Sequence, residues 1–444
     1  MDTLRFDLTQ KGGHFKPMNA VNNGPVHNRH KPVNENTVHQ VRSNLQAFKD
    51  ARIPYARNHD ASFCSSYGSE HTVDITAVFP DFDADPYNPD SYDFVVTDEY
   101  VLATNDANVE TFYRLGERIE HYVKKYNTLP PKDFKKWAII CEHIIRHYTE
   151  GWANGYKLKM TYWEIWNEAD QDPDDSPNKR TWGGTKAEFF DFYEIAAKHL
   201  KGCFPHLKIG GPAYSWTEEA WAVEFLAEMK KRNVPIDFFS WHIYNNTTEH
   251  IMYLGQRVHE MLVENGYENT ESILNEWNYL RNWSDKFVYS ITERLGMRGA
   301  AFIMAIMSEA QHSTIDMLMY YDARPCLWNG LFDFYTLQPL KGYYPMKWYG
   351  MFYDMKSEIL CEDKIYNIYT LCGCDENEKT LCVITYYTDD DNNASDKTFN
   401  VDFGKNGNYE IYLLDDEHDG EIIATTSELT FTMKQNTCIM IKEI

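Results

Sequence analysis

Eight short apolar runs recur along the first three-quarters of the chain, with helix-like segments between them. They are Phe15–Val21, Pro54–Asn58 (PYARN), Glu110–Leu115 (ETFYRL), Met160–Trp166, Lys208–Gly211 (KIGG), Ile236–His242 (IDFFSWH), Ser272–Glu276 (SILNE) and Met317–Tyr321 (MLMYY). Runs this short read as buried strands. Between them, Phe134–Glu150 sets Phe134, Trp137, Cys141, Ile144 and Tyr148 on one helical face, and Lys186–Leu200 and Ala220–Asn233 are amphipathic in the same way. Arg298–His312 is apolar nearly all round its middle, so it is expected to be a buried helix. Strand–helix alternation repeated eight times is the arithmetic of an α/β fold closed into a (β/α)8 TIM barrel. An open doubly wound sheet would carry a glycine-rich first turn, and Asn19–His30 (NAVNNGPVHNRH) has none.

From Ser357 the pattern changes to alternating or fully apolar runs such as KTLCVITYY, NYEIYLL and CIMIKEI, separated by acidic turns. These read as antiparallel strands of a small β-sandwich. The expected division is a barrel over 13–356 and a sandwich over 357–444, with residues 1–12 a candidate extra strand of the sandwich. The turns Asp389–Asn393 and Asp415–Gly420 lack ordered calcium-loop spacing, so they are read as solvated.

The formal charge is −24, from 43 basic and 67 acidic residues. Such a surface repels nucleic acid and anionic membranes, so neither is an expected partner. No stretch is apolar enough to span a bilayer, and MDTLRFDLTQ shows no secretory pattern. The nine cysteines are scattered and odd in number. They fit free thiols in a reducing, cytoplasmic setting. Aromatic residues make up 15% of the chain, which suits either a large core or a cleft for flat, hydroxylated ligands.

Chemistry concentrates at the ends of the fourth and seventh runs. W-E-I-W-N-E-A-D places Asn167 and Glu168 just past one strand; S-I-L-N-E-W-N-Y places Glu276 at the end of another. In a barrel, strand C-terminal ends form the active face, and strands four and seven lie across its mouth. Two carboxyls converging in one cleft is what glycosidic bond hydrolysis requires, one as proton donor and one as nucleophile or base. Trp163, Trp166 and Trp277 are expected to crowd them. A metal reading rests on His27, His30, His59 and His242, but no His-x-His at the first strand accompanies an acidic ligand, so no metal is expected.

W-N-E at the fourth strand and N-E-W-N at the seventh resemble the retaining (β/α)8 glycosidases of clan A. More narrowly, the chain resembles glycoside hydrolase family 39, the family of β-xylosidases and α-L-iduronidases. Arg57-Asn-His59, Lys208-Ile-Gly-Gly-Pro-Ala213 and Asp237-Phe-Phe-Ser-Trp-His-Ile-Tyr244 match its second, fifth and sixth strands in order. The resemblance implies a retaining exo-glycosidase, β-xylosidase-like or acting on a galactoside, arabinoside or uronide. A non-catalytic sugar-binding barrel is the other reading. The implied roles are Glu168 as acid/base, Glu276 as nucleophile, and Asn167 on the sugar 2-hydroxyl. Arg57 and Tyr244 would orient Glu276 and lower its pKa, while burial would raise that of Glu168. His59 and His242 would line the sugar subsite; Trp277 and Tyr321, with Arg324 and Trp328 from the eighth strand end, are further candidate substrate-binding residues. An oligosaccharide is the implied partner, no cofactor is implied, and a homo-oligomer stays open with no interface signal beyond scattered aromatics. Ala169 stands where the family has proline, and the eighth strand end (YYDARPCLWNG) departs from it. The insertion 62–108 is a candidate cap over the cleft.

Overall fold

The structure is a computed structural model that describes residues 2–27, 29, 43–59, 72–391 and 394–444. Strand β1 (Asp2–Lys11) comes first and belongs to the C-terminal sheet, described below. Eight strands then close a barrel in chain order: β2 (Ala20–Asn22), β3 (Tyr55–Arg57), β4 (Glu110–Leu115), β5 (Tyr162–Ile165), β6 (Lys208–Tyr214), β7 (Phe238–Asn245), β8 (Glu271–Tyr279) and β9 (Met317–Tyr320). Every neighbouring pair is parallel, including β2 with β9.

Strand alternation sorts the side chains. Along β5, Tyr162 and Glu164 enter the barrel, while Trp163 turns outward onto Tyr113 with ring centroids 5.1 Å apart. The lower interior is apolar, filled by Ala20, Phe112, Tyr162, Phe238, Ile273, Met317 and Met319. The layer above it is polar and carries Asn22, Arg57, Glu164 and Asn275, all fully buried. On β6 the glycine of KIGG is a packing need: a Cβ on Gly210 would collide with the Phe238 carbonyl.

Helix starts follow local capping. Asp133 accepts from the backbone of Lys135 and Lys136 at the start of Phe134–Thr149. Thr185 and Glu188 form a reciprocal capping box on Lys186–Cys203. The expected apolar helix spans Met297–Gln311 and is almost wholly buried. Its all-round hydrophobicity has a cause: the helix lies between the barrel and the C-terminal sheet, in one shared core. No helix among the described residues is long and apolar enough to cross a membrane.

The second sheet has nine strands: β1 joined by β10 (Ser357–Cys361), β11 (Ile368–Cys374), β12 (Thr380–Tyr386), β13 (Lys397–Asp402), β14 (Tyr409–Leu414), β15 (Asp419–Thr426), β16 (Thr430–Met433) and β17 (Thr437–Glu443). Strand β1 sits between β10, antiparallel, and β13, parallel. Alternate residues separate two cores. Cys372, Cys382 and Ile384 enter the sheet's own interior, while Leu371, Leu381 and Val383 face the barrel.

The turn after β12 corrects a sequence expectation. Asp389 is not solvated. It accepts from Arg281 Nε (2.8 Å), Arg298 Nη1 (2.9 Å), the Tyr279 hydroxyl (2.6 Å) and the Asn246 amide (2.5 Å). Asp391 adds bonds to Arg281, Arg298 and the Tyr289 hydroxyl. Acidic composition alone cannot reveal that barrel arginines wait opposite this turn.

Candidate active site

Glu168 and Glu276 meet at the C-terminal mouth of the barrel. A carboxylate oxygen of each and a ring nitrogen of His242 lie within 4.8 Å of one another. All three side chains are buried. They line a cleft of about 750 Å³ with His59, Tyr244, Tyr321, Arg324, Trp328, Trp216, Trp283, Gln171, Arg118 and Arg180, among others.

Backbone geometry sets the acid on β5's end. Trp166, Glu168 and Ala213 all have positive φ, at 70°, 50° and 56°. Left-handed backbone costs a side-chain-bearing residue of order 1–3 kcal/mol. The Glu168 N–H donates to Ala213 O (3.0 Å), tying the ends of β5 and β6 together. Asp170 completes the fold of this loop, accepting from Ser215 N (2.9 Å) and the Thr217 hydroxyl (2.9 Å). That bond set holds the Ser215–Thr217 wall of the cleft, a role for the last residue of WNEAD that the sequence reading missed.

The second carboxylate depends on a bulge. The β7–β8 register pairs Trp241 with Leu274 but His242 with Glu276. The extra residue lets Asn275 and Glu276 both face inward, because a bulge re-aims the side chain it carries. Trp277 is thereby turned outward. This corrects its expected place in the subsite: Trp277 is fully buried against Phe302 and Tyr320 behind the barrel wall. Trp166 likewise leaves the cleft and packs on Trp137, Trp182 and Phe192. With Trp163 also facing out, none of the three tryptophans expected around the acids lines the cleft. The aromatic wall is Tyr244, Trp283, Tyr321 and Trp328, with Tyr244 and Trp328 centroids 4.9 Å apart.

Arg57 is the hub. Nε donates to Glu164 (2.7 Å), Nη1 to Glu276 Oε1 (2.8 Å) and Asn22 (3.0 Å), and Nη2 to Asn167 Oδ1 (2.7 Å). Glu164 also accepts from the Asn275 amide (2.5 Å). Glu164, Asn22 and Asn275 were not singled out from sequence; strand-interior polar residues opposite one another were the available signal. The other oxygen of Glu276 accepts from the Tyr244 hydroxyl (2.9 Å). Glu168 shares a 2.8 Å hydrogen bond with His242 Nδ1 and accepts from Gln171 Nε2 (2.9 Å).

Burial dominates the electrostatics of both acids. Burial pushes Glu168 up to about 7, with Arg57 and Arg180 opposing. Burial also raises Glu276, against the expectation of a lowered value, because desolvation outweighs His242, Arg57 and Tyr244. Burial lowers His242 and holds His59 well below the usual histidine range. Buried polar atoms left without partners gather here: Asn167 Nδ2, His59 Nδ1, His242 Nε2, Gln171 Oε1 and Trp216 Nε1. A polyhydroxylated ligand offers what such atoms lack.

Of the histidines of the metal reading, His59 and His242 share the cleft. His27 bonds Ser43 (3.0 Å) outside the cleft, and His30 lies outside the described residues. Glu168, His242 and Glu276 are close enough to share a cation. However, His242 Nε2 has no partner, where a metal-bound imidazole is normally braced by a hydrogen bond from its second nitrogen. Of the 62–108 insertion, 62–71 lie outside the described residues; the remainder lines no part of the cleft, its helix Val95–Asp106 leading into β4 as an ordinary barrel helix.

Comparison with known proteins gives the same direction. A β-xylosidase from Geobacillus stearothermophilus is 28% identical over 188 residues, a match spanning 40% of this chain and 35% of that protein's length. A glucosidase structure from Croceicoccus marinus has a TM-score of 0.78 at 21% identity, covering 100% of this chain and 99% of that one. A monomeric β-xylosidase from Caulobacter crescentus CB15 gives 0.72 at 14% identity, covering 100% and 99%. These structural likenesses bear on fold alone. The profile of Glycosyl hydrolases family 39 matches residues 70–322, from before β4 to the end of β9 and through both cleft carboxylates. More than half of its length thus falls under one family description, and the chain belongs to family 39 of the glycosyl hydrolases.

Proposed function

We propose that this protein is a retaining exo-glycosidase, β-xylosidase-like, working by double displacement with no metal or organic cofactor. One observation carries the reading: oxygens of Glu168 and Glu276 approach within 4.8 Å. That spacing supports direct attack, whereas carboxyls about 6.5–9.5 Å apart would leave room for a water between them. Glu276 attacks the anomeric carbon as the bond to the leaving oxygen breaks. Glu168 gives that oxygen its proton. The resulting Glu168 carboxylate then takes a proton from water, whose oxygen displaces Glu276 from the sugar with net retention.

The raised pKa of Glu168 fits its role. Glu168 holds its proton to about 7. Glu276 has a cation on one oxygen and a phenol on the other, which orients it for attack. Arg57 also fixes the Asn167 amide with its N–H groups unspent, as a reader of a sugar 2-hydroxyl needs. The β-xylosidase assignment leans on the named relatives; a galactoside, arabinoside or uronide is the alternative at the same site. The scattered cysteines support a cytoplasmic setting.

The test is Glu276→Gly on the nitrophenyl glycoside that a panel identifies. Turnover is expected to fall by about 10⁴-fold or more, the scale on which loss of a covalent nucleophile acts. Azide should then restore part of it and yield a glycosyl azide of inverted configuration. Undiminished turnover in the variant, or no release from any glycoside by the wild type, overturns the proposal.

A further inference from the structure

We propose that the leaving-group half of the cleft is built for a negatively charged leaving group, a carboxylate- or sulfate-bearing sugar or aglycone, read by Arg118. The inference rests on the glycosidase reading above and adds the chemical class of what departs.

Arg118 is the one arginine among the described residues with no hydrogen bond, ion pair or ring contact. The anomaly is physical. The chain carries 67 acidic residues against 43 basic ones, so carboxylate partners abound. Yet this side chain is half-buried in the cleft wall and pairs with no acid among the described residues. The other two cleft arginines are neutralised: Arg180 by Asp172 (2.9 Å) and Arg324 by Asp322 (3.3 Å).

Topology places Arg118 on the side of the acid. It follows β4, whose barrel neighbour β5 leads directly to Glu168. Glu276 belongs to β8, and the aromatic wall comes from β7 (Tyr244) and the loops after β8 (Trp283) and β9 (Tyr321, Trp328), across the mouth. The sugar attacked by Glu276 lies on that far side, so Arg118 faces what Glu168 protonates. Its loop is held on both flanks. Glu117 accepts from Thr76 N (3.0 Å) and the Thr76 hydroxyl (2.7 Å). Glu120 accepts from Tyr126 N (2.9 Å) and the Thr128 hydroxyl (3.0 Å). A guanidinium on so fixed a base presents a fork of donors matched to two oxygens of an anion, with little ordering left to pay on binding.

The experiment compares kcat/KM for a neutral nitrophenyl glycoside with carboxylated and sulfonated nitrophenyl analogues of the same sugar. The readout is the anionic-to-neutral ratio, which does not depend on how much enzyme is folded. Arg118→Gln is expected to lower that ratio by about 10- to 100-fold, the range for a charged hydrogen bond. Arg118→Lys should keep part of it, and salt should depress the wild-type ratio. The carboxylated and sulfonated arms tell which anion fits. A ratio unmoved by Arg118→Gln, with the neutral glycoside still hydrolysed, overturns this inference and leaves the glycosidase reading standing. No hydrolysis of any glycoside by the wild type overturns both.

Discussion

The acids of the cleft and the acids of the Asp389–Asp391 turn are the same functional group in opposite circumstances. At the base of the cleft, Glu164 and Glu276 share one arginine, Arg57, and Glu168 stands beside Glu276, all three buried. Desolvation is the largest influence there, and both Glu168 and Glu276 bind protons more tightly than usual. At the turn, two aspartates take two arginines, and Asp391 is half exposed. Bonds to Arg281 and Tyr289 hold Asp391 well below the usual range. The number of donors per carboxylate and access to water decide which acid keeps a proton. The first arrangement stores a proton for chemistry; the second fastens a sheet to the barrel.

The comparison can be broken most sharply at the stored proton. Replacing Glu168 by alanine should cut kcat/KM on a poor leaving group by about 10²–10⁴-fold, the usual worth of a general acid. The raised pKa means the acid form persists below pH 7, so wild-type kcat/KM should decline as pH rises through about 7. That limb should vanish in the variant; its survival would assign the proton to another group.

Next in size is the shared cation. Arg57→Met leaves Glu164 and Glu276 buried without it, and should cost about 3–5 kcal/mol in urea unfolding, as for other broken buried pairs. In whatever activity remains, the acidic limb should move to higher pH, because removing a cation makes Glu276 harder to ionise.

The turn sharpens the comparison from the other side. Asp389→Ala should lower unfolding free energy by about 2–3 kcal/mol, the scale of lost charged hydrogen bonds, without a matching change in kcat/KM. Asp391→Asn should cost less than about 1 kcal/mol, because solvent screens an exposed pair. Its lowered pKa gives the sign: the contribution is present above the ordinary aspartate range and fades as acid protonates the side chain.

Much of the barrel was legible because each strand is a local apolar run with helical periodicity on either side. All eight runs overlap barrel strands, with boundaries moved by a few residues; the first moves from Phe15–Val21 to Ala20–Asn22. Glu168, Glu276, Arg57, Asn167, His59, His242, Tyr244, Tyr321, Arg324 and Trp328 were legible as polar or aromatic groups at strand ends. The structure brings eight of the ten to the cleft; Arg57 bonds Glu276 directly, and Asn167 bonds Arg57. Trp277 was misread because Ile273, Asn275 and Trp277 share one strand parity. The bulge before Glu276 breaks that parity, and nothing in the local composition announces it. Glu164 was passed over for a related reason. A carboxylate inside a strand is tolerable only with a cation opposite, and its cation lies 107 residues away on β3.

The sequence by itself determined the alternation of strands and helices, the apolar lower barrel, and which residue types stand at the strand ends. These are properties of neighbours along the chain, set by periodicity and side-chain chemistry. Only the tertiary structure decided which side chains face the mouth, that burial raises both cleft acids while paired arginines lower Asp391, and that Arg118, alone among the described arginines, goes without a partner. Facing, desolvation and ion pairing are set by groups distant in the chain, and closing the barrel is what brings them within a few ångströms.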